Sequence, residues 1–123
     1  MESSPVRFVE KPWGREEIFA HTDAYVGKIL FILAGEALSL QYHEHKEETL
    51  RVFDGEVEIF SGSDPARLEN RVLESGSVFH VPPGLLHKLV ALTDCRLFEV
   101  STNHLDDVVR LEDRYGREGT NAP

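Results

Sequence analysis

The feature that most constrains the fold is the repetition of short apolar or alternating segments between turn residues. Residues 28–33, 48–53, 56–60, 86–92 and 95–101 are such segments, and glycine, proline, aspartate or serine separates them. Segments of this length and spacing are typical of strands in sandwiches and barrels, and they are too short for most helices. The sequence therefore predicts an all-β fold.

Two of the turns predict β-hairpins. Asp54-Gly55 lies between residues 48–53 and 56–60, and Thr93-Asp94 lies between residues 86–92 and 95–101. Asp-Gly between two strand-like segments is a strong hairpin signal. After Ser101 the pattern changes, and Thr102 or Asn103 is a suitable N-cap for a short C-terminal helix over residues 104–111. The polar tail 116–123 is expected to fray.

Size and charge restrict the classes of partner. A chain of 123 residues fits one domain with one core. The net charge of −9 argues against nucleic acid, which requires a basic surface. No segment approaches the roughly 20 apolar residues of a membrane helix, and none is typical of a secretory signal. The single cysteine, Cys95, cannot form an internal disulfide and is expected to be a buried thiol. We therefore expect a cytoplasmic protein that binds neither nucleic acid nor membrane.

Three histidines and a glutamate form a candidate metal site. His43 and His45 lie two residues apart on an expected strand, so that both rings leave the same face. Glu48 follows at the next turn, and His87 comes directly after the rigid segment 82–86, which begins Pro-Pro-Gly. This donor set suits one divalent transition metal ion (Zn, Mn, Co, Ni, Fe or Cu) and leaves positions open for catalysis. A lone His-x-His pair would more often be solvated on a surface strand.

Other polar residues have both a structural and a functional interpretation. Gln41 shares a strand face with His43, and Glu99 interrupts an apolar run, where an acid is either solvated or buried with a raised pKa. His80 is either a packed ring or a neighbour of the site. The cations are either surface residues or ligands of a phosphate or carboxylate: Lys28, Lys88 and Arg110.

Two segments resemble the cupin motifs. Residues 35–55 contain Gly35, His43, His45, Glu48 and Gly55 in the order of the first motif, and residues 76–87 resemble the second. The resemblance implies a single cupin domain over residues 1–123, a double-stranded β-helix or jelly-roll barrel. We expect the barrel core at about residues 25–101, an N-terminal arm at 1–24, and the helix and tail at 102–123.

A closer resemblance, to the isomerase domain of type II phosphomannose isomerases, covers nearly the whole chain. That domain is usually fused to a mannose-1-phosphate guanylyltransferase, which this sequence lacks, so we expect a stand-alone cupin. The matching segments are Lys11-Pro12-Trp13-Gly14, Leu38-Ser39-Leu40-Gln41-Tyr42-His43, Asp106-Asp107-Val108-Val109-Arg110 and Asp113-Arg114-Tyr115-Gly116-Arg117. The chain departs from the family at His43-Glu44-His45-Lys46, where the family has His-His-His-Arg, and at Ala91, where it has asparagine.

The resemblance implies an aldose–ketose isomerase acting on a sugar or sugar phosphate. Glu99 would move the proton and Gln41 would orient a hydroxyl; Lys28, Lys88, Arg110 and His80 would contact substrate. Two alternatives remain open: an Fe- or Cu-dependent dioxygenase, and a non-catalytic cupin that binds a metal or small ligand. We also expect a homodimer, formed through Leu38, Leu40, Tyr42 and the segment around Trp13.

Overall fold

A computed structural model describes residues 5–119, and its regular elements are all β-strands. The strands are β1 (Arg7–Lys11), β2 (Gly14–His21), β3 (Val26–Ile32), β4 (Leu40–Tyr42), β5 (Glu48–Asp54), β6 (Val57–Gly62), β7 (Glu69–Leu73), β8 (Val78–Val81), β9 (Leu86–Ala91), β10 (Cys95–Ser101) and β11 (Val109–Glu112). No helix within residues 5–119 is long and apolar enough to cross a membrane.

The strands form two antiparallel sheets. One has six strands in the order β1-β2-β3-β10-β5-β8, and the other has five in the order β11-β4-β9-β6-β7. The chain changes sheet several times, so that sequence neighbours often lie opposite each other rather than side by side. Such crossing between two packed sheets is the jelly-roll arrangement, and it confirms the predicted all-β cupin fold.

Both predicted hairpins are wrong in their pairing. β5 pairs with β10 and β8, whereas β6 pairs with β7 and β9, so the Asp54-Gly55 turn carries the chain from one sheet to the other. The Thr93-Asp94 turn does the same between β9 and β10. Turn residues allow the chain to reverse, but the partner of each strand is set by which face it must bury.

Every second side chain of β3, β5 and β10 points into the barrel. These inward side chains are apolar at one end of the barrel and polar at the other. The inward residues of β3 are Val26, Lys28, Leu30 and Ile32, those of β5 are Glu48, Leu50 and Val52, and those of β10 are Cys95, Leu97, Glu99 and Ser101. The antiparallel register pairs Glu99 with Lys28 on one side and with Leu50 on the other. The charged side chains therefore collect at one end, above an apolar core.

The two terminal segments both form strands. Residues 7–21 form β1 and β2, which extend the six-stranded sheet. The predicted helix over residues 104–111 is wrong, because residues 105–106 form a turn and β11 then pairs with β4. The Asp107 carboxylate accepts backbone N–H groups of residues 44–46 instead of starting a helix. The predicted tail lies partly outside the described residues.

Two members of the surface predicted for dimer contacts lie in the core instead. Leu40 is 2% exposed and Trp13 is 3% exposed. Cys95 is also buried, as expected, and burial raises the pKa of its thiol to about 11. Several exposed large apolar side chains lie on the outer face of the six-stranded sheet: Phe8, Phe19, Phe53, Val78 and Val100.

Candidate metal centre

A cavity of about 250 Å³ opens at the polar end of the barrel. Residues from both sheets and from the segment after β10 line it. Its charged and metal-ligating members include Lys11, Glu16, Lys28, His43, Lys46, Glu48, His87, Glu99, Arg110 and Arg117. A cavity with this many charged groups suits a polar, ionic ligand rather than an apolar one.

Three buried side chains in this cavity form a candidate metal-binding group. Ligand atoms of His43, Glu48 and His87 all lie within 4.8 Å of one another. The Glu48 Oε1 atom is 3.6 Å from His43 Nε2 and 3.4 Å from His87 Nε2. Both Nε2 atoms are buried and make no hydrogen bond within residues 5–119. Two imidazole nitrogens and a carboxylate oxygen that converge in this way fit a divalent transition metal ion.

Backbone carbonyls fix the protonation of both imidazoles. His43 Nδ1 lies 2.5 Å from the Asp107 carbonyl oxygen, and His87 Nδ1 lies 3.0 Å from the Leu85 carbonyl oxygen. A carbonyl can only accept, so each Nδ1 carries a proton, and Nε2 is the ring nitrogen that a neutral imidazole would offer to a metal in the cavity. Hydrogen bonds of this kind are the usual support of metal-binding histidines.

The fold brings the three ligands together from different parts of the chain. Glu48 begins β5, and His87 is the second residue of β9, where it pairs directly with Gln41 of β4. The turn before β9 is tied to the first ligand, because Gly84 N–H donates to the His43 carbonyl at 2.8 Å. The Pro-Pro-Gly segment therefore positions His87 relative to His43.

His45 is not brought into this group. Strand β4 ends at Tyr42, so the alternation that would aim His43 and His45 to the same side does not continue. The side chain of His45 is exposed, and its ring centroid lies 6.2 Å from that of His104. In this structure the geometry supports three of the four predicted ligands.

Lys46 links the metal-binding group to Glu99. Its buried Nζ lies 3.0 Å from Glu48 Oε2 and 3.1 Å from Glu99 Oε2. Burial favours the neutral amine, but the carboxylates of Glu99 and Glu48 outweigh it and raise the pKa of Lys46. Although burial opposes it, the pKa of Glu48 lies well below its usual range, chiefly because of Lys46.

Glu99 has the opposite shift. It is 5% exposed, and burial, together with the charge of Glu48, raises its pKa although Lys46 and Lys28 act against this. Lys28 Nζ lies 3.9 Å from Glu99 Oε2 and 3.1 Å from Glu16 Oε1. Glu99 is therefore a buried carboxyl group in the cavity that favours its protonated form more than an ordinary glutamate does.

Cations gather at another part of the same cavity. Arg110 and Arg117 are buried and line the cavity with the partly buried Lys11. Burial lowers the pKa of Lys11, and the charges of Lys28, Arg110 and Arg117 lower it further, against Glu16. These cations lie close enough to affect one another and could attract an anion, although Glu16 and Asp113 offset part of their charge.

The remaining predicted site residues are divided between the cavity and the surface. Gln41 lines the cavity, where its Oε1 accepts a hydrogen bond from Ser39 Oγ at 2.6 Å. Lys88 is outside the cavity lining, with Nζ 5.9 Å from the centroid of the Phe60 ring. His80 is exposed and hydrogen-bonded to Glu47 Oε2 at 2.6 Å. The structure therefore does not bring Lys88 or His80 to the candidate site.

The sequence interpretation gave no role to several residues that the structure places here. Lys46 was noted only as a basic position where the family has arginine, and Asp107 and Arg117 only as parts of matching segments. No local pattern predicted a role for Glu16, because its partner Lys28 is distant in sequence and only the pairing of β2 with β3 brings the two residues together. Hydrogen bonds and ion pairs across strands cannot be inferred from local patterns.

Comparison with known families identifies the chain. A family described as mannose-6-phosphate isomerase C-terminal matches residues 2–113. The chain belongs to this family. Membership in the mannose-6-phosphate isomerase C-terminal family confirms the predicted likeness to the isomerase domain, and it covers both the metal-binding group and the segment that ends in β11.

The curated relatives that the chain matches are much longer. The mannose-1-phosphate guanylyltransferase ManC of Salmonella typhimurium is 34% identical over 116 residues, which are 90% of this chain and 23% of that protein. The xanthan biosynthesis protein XanB of Xanthomonas campestris is 31% identical, over 90% of this chain and 24% of that protein. The chain spans about a quarter of the length of these relatives.

Solved structures with low sequence identity to this chain share its fold. KdgF from Halomonas sp. has a TM-score of 0.68 and 21% identity, with 82% of this chain and 87% of that chain covered. An RmlC-like cupin from Shewanella frigidimarina has a TM-score of 0.69 and 16% identity, with coverages of 80% and 85%. At these identities the likeness shows the cupin fold alone.

Proposed function

We propose that this protein is a metal-dependent aldose–ketose isomerase that acts on a sugar phosphate of the mannose 6-phosphate type. The observation that carries the proposal is the position of Glu99. A buried carboxyl group with a raised pKa shares one cavity with a candidate metal-binding group and with a cluster of cations. Family membership supports the same class of substrate.

The reaction requires one group that removes a proton from carbon and returns it. Glu99 would take the proton from C2 of the aldose and deliver it to C1, while the hydroxyl proton moves from O2 to O1. The raised pKa of Glu99 favours this role, because a base is most effective when its pKa approaches the working pH. Lys46 and Lys28 flank its carboxylate and would hold it in place.

A divalent ion held by His43, Glu48 and His87 would supply a Lewis acid for the carbonyl and hydroxyl oxygens of the substrate. Gln41 would orient one hydroxyl, since it lies in the cavity and pairs with His87 across the sheet.

The cationic part of the cavity supports a phosphorylated substrate. We assign the distal phosphate to Arg110, Arg117 and Lys11, with Lys28 nearer Glu99. The guanidinium of Arg117 is held by Asp113 through Nε–Oδ2 and Nη2–Oδ1 contacts of 2.8 and 3.1 Å. An arginine oriented in this way is suited to bind a phosphate group.

The charged cavity favours the isomerase over a dioxygenase with an apolar substrate. An apolar molecule would have to displace water from Lys28, Lys46, Glu48 and Glu99 without replacing its hydrogen bonds, which is unfavourable. A sugar phosphate offers hydroxyl and phosphate oxygens to these groups.

The test is product formation. Metal-free protein is loaded separately with Mn, Co, Zn, Ni or Fe, incubated with hexose and pentose phosphates, and assayed for the isomeric sugar by chromatography. The Glu99→Gln variant should lose roughly 10²–10⁴-fold in kcat and keep its metal content, because each flanking lysine retains a second carboxylate. Glu58→Gln, on a strand but outside the cavity, is the control.

Two outcomes would count against the proposal. Absence of isomerised product with every metal and every sugar phosphate would reject the isomerase, and oxygen uptake by Fe- or Cu-loaded protein would then favour the dioxygenase. Full turnover by Glu99→Gln would reject Glu99 as the base even if the isomerase itself were demonstrated.

A further inference from the structure

Asp107 contacts the chain beside the candidate metal-binding group at four points. Its main-chain carbonyl oxygen accepts from His43 Nδ1 at 2.5 Å. Its carboxylate accepts three consecutive backbone N–H groups, from Glu44 at 3.0 Å, His45 at 2.7 Å and Lys46 at 2.8 Å. One residue of the C-terminal segment therefore holds both a ligand ring and the loop that follows it.

We propose that Asp107 is a positioning residue of the metal centre, which clamps the loop of residues 43–47 so that His43, Lys46 and Glu48 reach the cavity together. The inference rests on the metal-binding group, and it does not depend on the isomerase activity. Asp107 lines the cavity, and its carboxylate accepts the backbone N–H groups of residues 44–46, so that it acts on the ligands through the loop.

The geometry explains why this loop needs an external clamp. Residues 43–47 link β4 in one sheet to β5 in the other, and the loop must turn Lys46 and Glu48 inward while Glu44, His45 and Glu47 stay exposed. Among the described hydrogen bonds, the N–H groups of residues 44–46 are satisfied by Asp107 rather than by a strand partner. Without the carboxylate, the loop would lose the contacts that fix its path.

The same clamp fixes the state of His43. The Asp107 carbonyl accepts from Nδ1, so that Nε2 is the ring nitrogen that faces Glu48 and the cavity. Groups that orient a ligand in this way typically contribute 10–100-fold to metal affinity. The carbonyl is part of the backbone, so removal of the carboxylate would act by letting residues 107 and 43 separate.

The experiment compares two variants that each lose a carboxylate bound to backbone N–H. Asp107→Ala removes the clamp, and Asp94→Ala removes an acceptor of Ala34 N–H at 2.8 Å, outside the cavity. Co²⁺ affinity is measured by titration of metal-free protein, and amide hydrogen exchange is measured at residues 44–46. We expect Asp107→Ala to weaken Co²⁺ binding by roughly 10–100-fold and to speed exchange at those amides, and Asp94→Ala to change neither.

Each result decides the inference. Wild-type Co²⁺ affinity in Asp107→Ala, or an equal loss in Asp94→Ala, would overturn it. If Asp107→Ala does not fold, Asp107→Asn is used; it keeps the side-chain volume but cannot accept at both positions, and it should still lose affinity. If the wild-type protein binds no Co²⁺, both the metal centre and the positioning role of Asp107 are rejected. If the protein binds Co²⁺ but forms no isomerised sugar, only the proposed isomerase function is rejected.

Discussion

Charged side chains at the polar end of the barrel are buried in contact with charges of opposite sign. Lys46 contacts two carboxylates, Glu99 lies near two ammonium groups, and Lys28 has Glu16 as its second partner. Burial of single ions in a low dielectric costs several kcal/mol each, so such groups are retained only where partners compensate. The same groups give the cavity its capacity to bind ions and move protons.

The Asp113–Arg117 pair predicts an acid-dependent stability. Although burial opposes it, hydrogen bonds from Arg117 lower the pKa of Asp113. A carboxyl group whose folded-state pKa is depressed contributes stability above its ordinary pKa of about 4 and loses it as pH falls through the folded value. The melting temperature of the wild type should therefore fall more steeply than that of Asp113→Asn on acidification from pH about 5 to about 3.

Thermal unfolding followed by circular dichroism at several pH values measures this difference. Asp64→Asn, at an exposed loop aspartate that accepts Ala66 N–H, is the control and should follow the wild-type profile closely. Parallel profiles for the wild type and Asp113→Asn would show that the pair contributes no acid-dependent stability.

The ligand set can be tested one residue at a time. His43→Ala and His87→Ala should each lose most of the bound metal, because each removes one of three converging donors. His45→Ala should keep the metal, since the exposed ring of His45 lies next to His104 instead. Elemental analysis of protein purified without a nickel column gives the answer. Metal loss in His45→Ala equal to that in His87→Ala would require a different loop conformation.

At the scale of single elements, the glycine turn between β5 and β6 is more constrained than the glycine turn at Gly76. Gly55 has φ +83°, and a Cβ there would lie 2.4 Å from the Asp94 carbonyl oxygen and 2.6 Å from Cys95 Cβ. Gly76 has φ +89° but no atom within 4 Å of such a Cβ. A side chain at either position would strain the backbone, but only one at Gly55 would also overlap neighbouring atoms.

We expect Gly76→Ala to lower the free energy of unfolding by about 1–2 kcal/mol, the usual cost of the left-handed conformation for a residue with a side chain. Gly55→Ala should lower it by a further ~1–3 kcal/mol, because the backbone of Asp94 must also move. Urea unfolding at equilibrium measures both. Equal losses would mean that the turn between β9 and β10 does not pack on Gly55 as described.

At the scale of the whole molecule, an apolar surface remains on the outer face of the six-stranded sheet. Val100 is 56% exposed, Val78 is 54% exposed and Phe53 is 48% exposed. Phe53 also packs edge-to-face on Phe98, with ring centroids 5.5 Å apart. Exposed apolar side chains on one sheet face are typical of an interface between proteins, and we propose that this face pairs with a second copy of the chain.

The predicted dimer would have twice the 13.9 kDa mass of one chain in light scattering. Val100→Asp should give a monomer that keeps its fold, because the side chain is exposed in the single chain. Val72→Asp, at a position 46% exposed on β7 of the other sheet, should leave the dimer intact. A monomeric wild type at micromolar concentration would contradict the proposal.

Much of this architecture follows from local sequence pattern. Short apolar segments between turns predicted most of the strands. His43, His45 and Glu48, together with His87 after the Pro-Pro-Gly turn, predicted a metal site, and the structure brings together all of these except His45. Glu99 was singled out because an acid in an apolar strand is either solvated or buried with a raised pKa. These features depend on the period of a strand and on the cost of burying charge, which act within a few residues.

Tertiary structure alone decided which strands pair and which distant side chains come into contact. Asp54-Gly55 reverses the chain in either case, but whether β5 and β6 pair depends on how two sheets bury their apolar faces together. His45 does not lie with the other ligands because β4 ends at Tyr42. Residues 109–112 form a strand because they pair with the edge of β4, and Asp107 binds the adjacent loop. These outcomes depend on contacts between residues distant in sequence, whose free energies no local pattern contains.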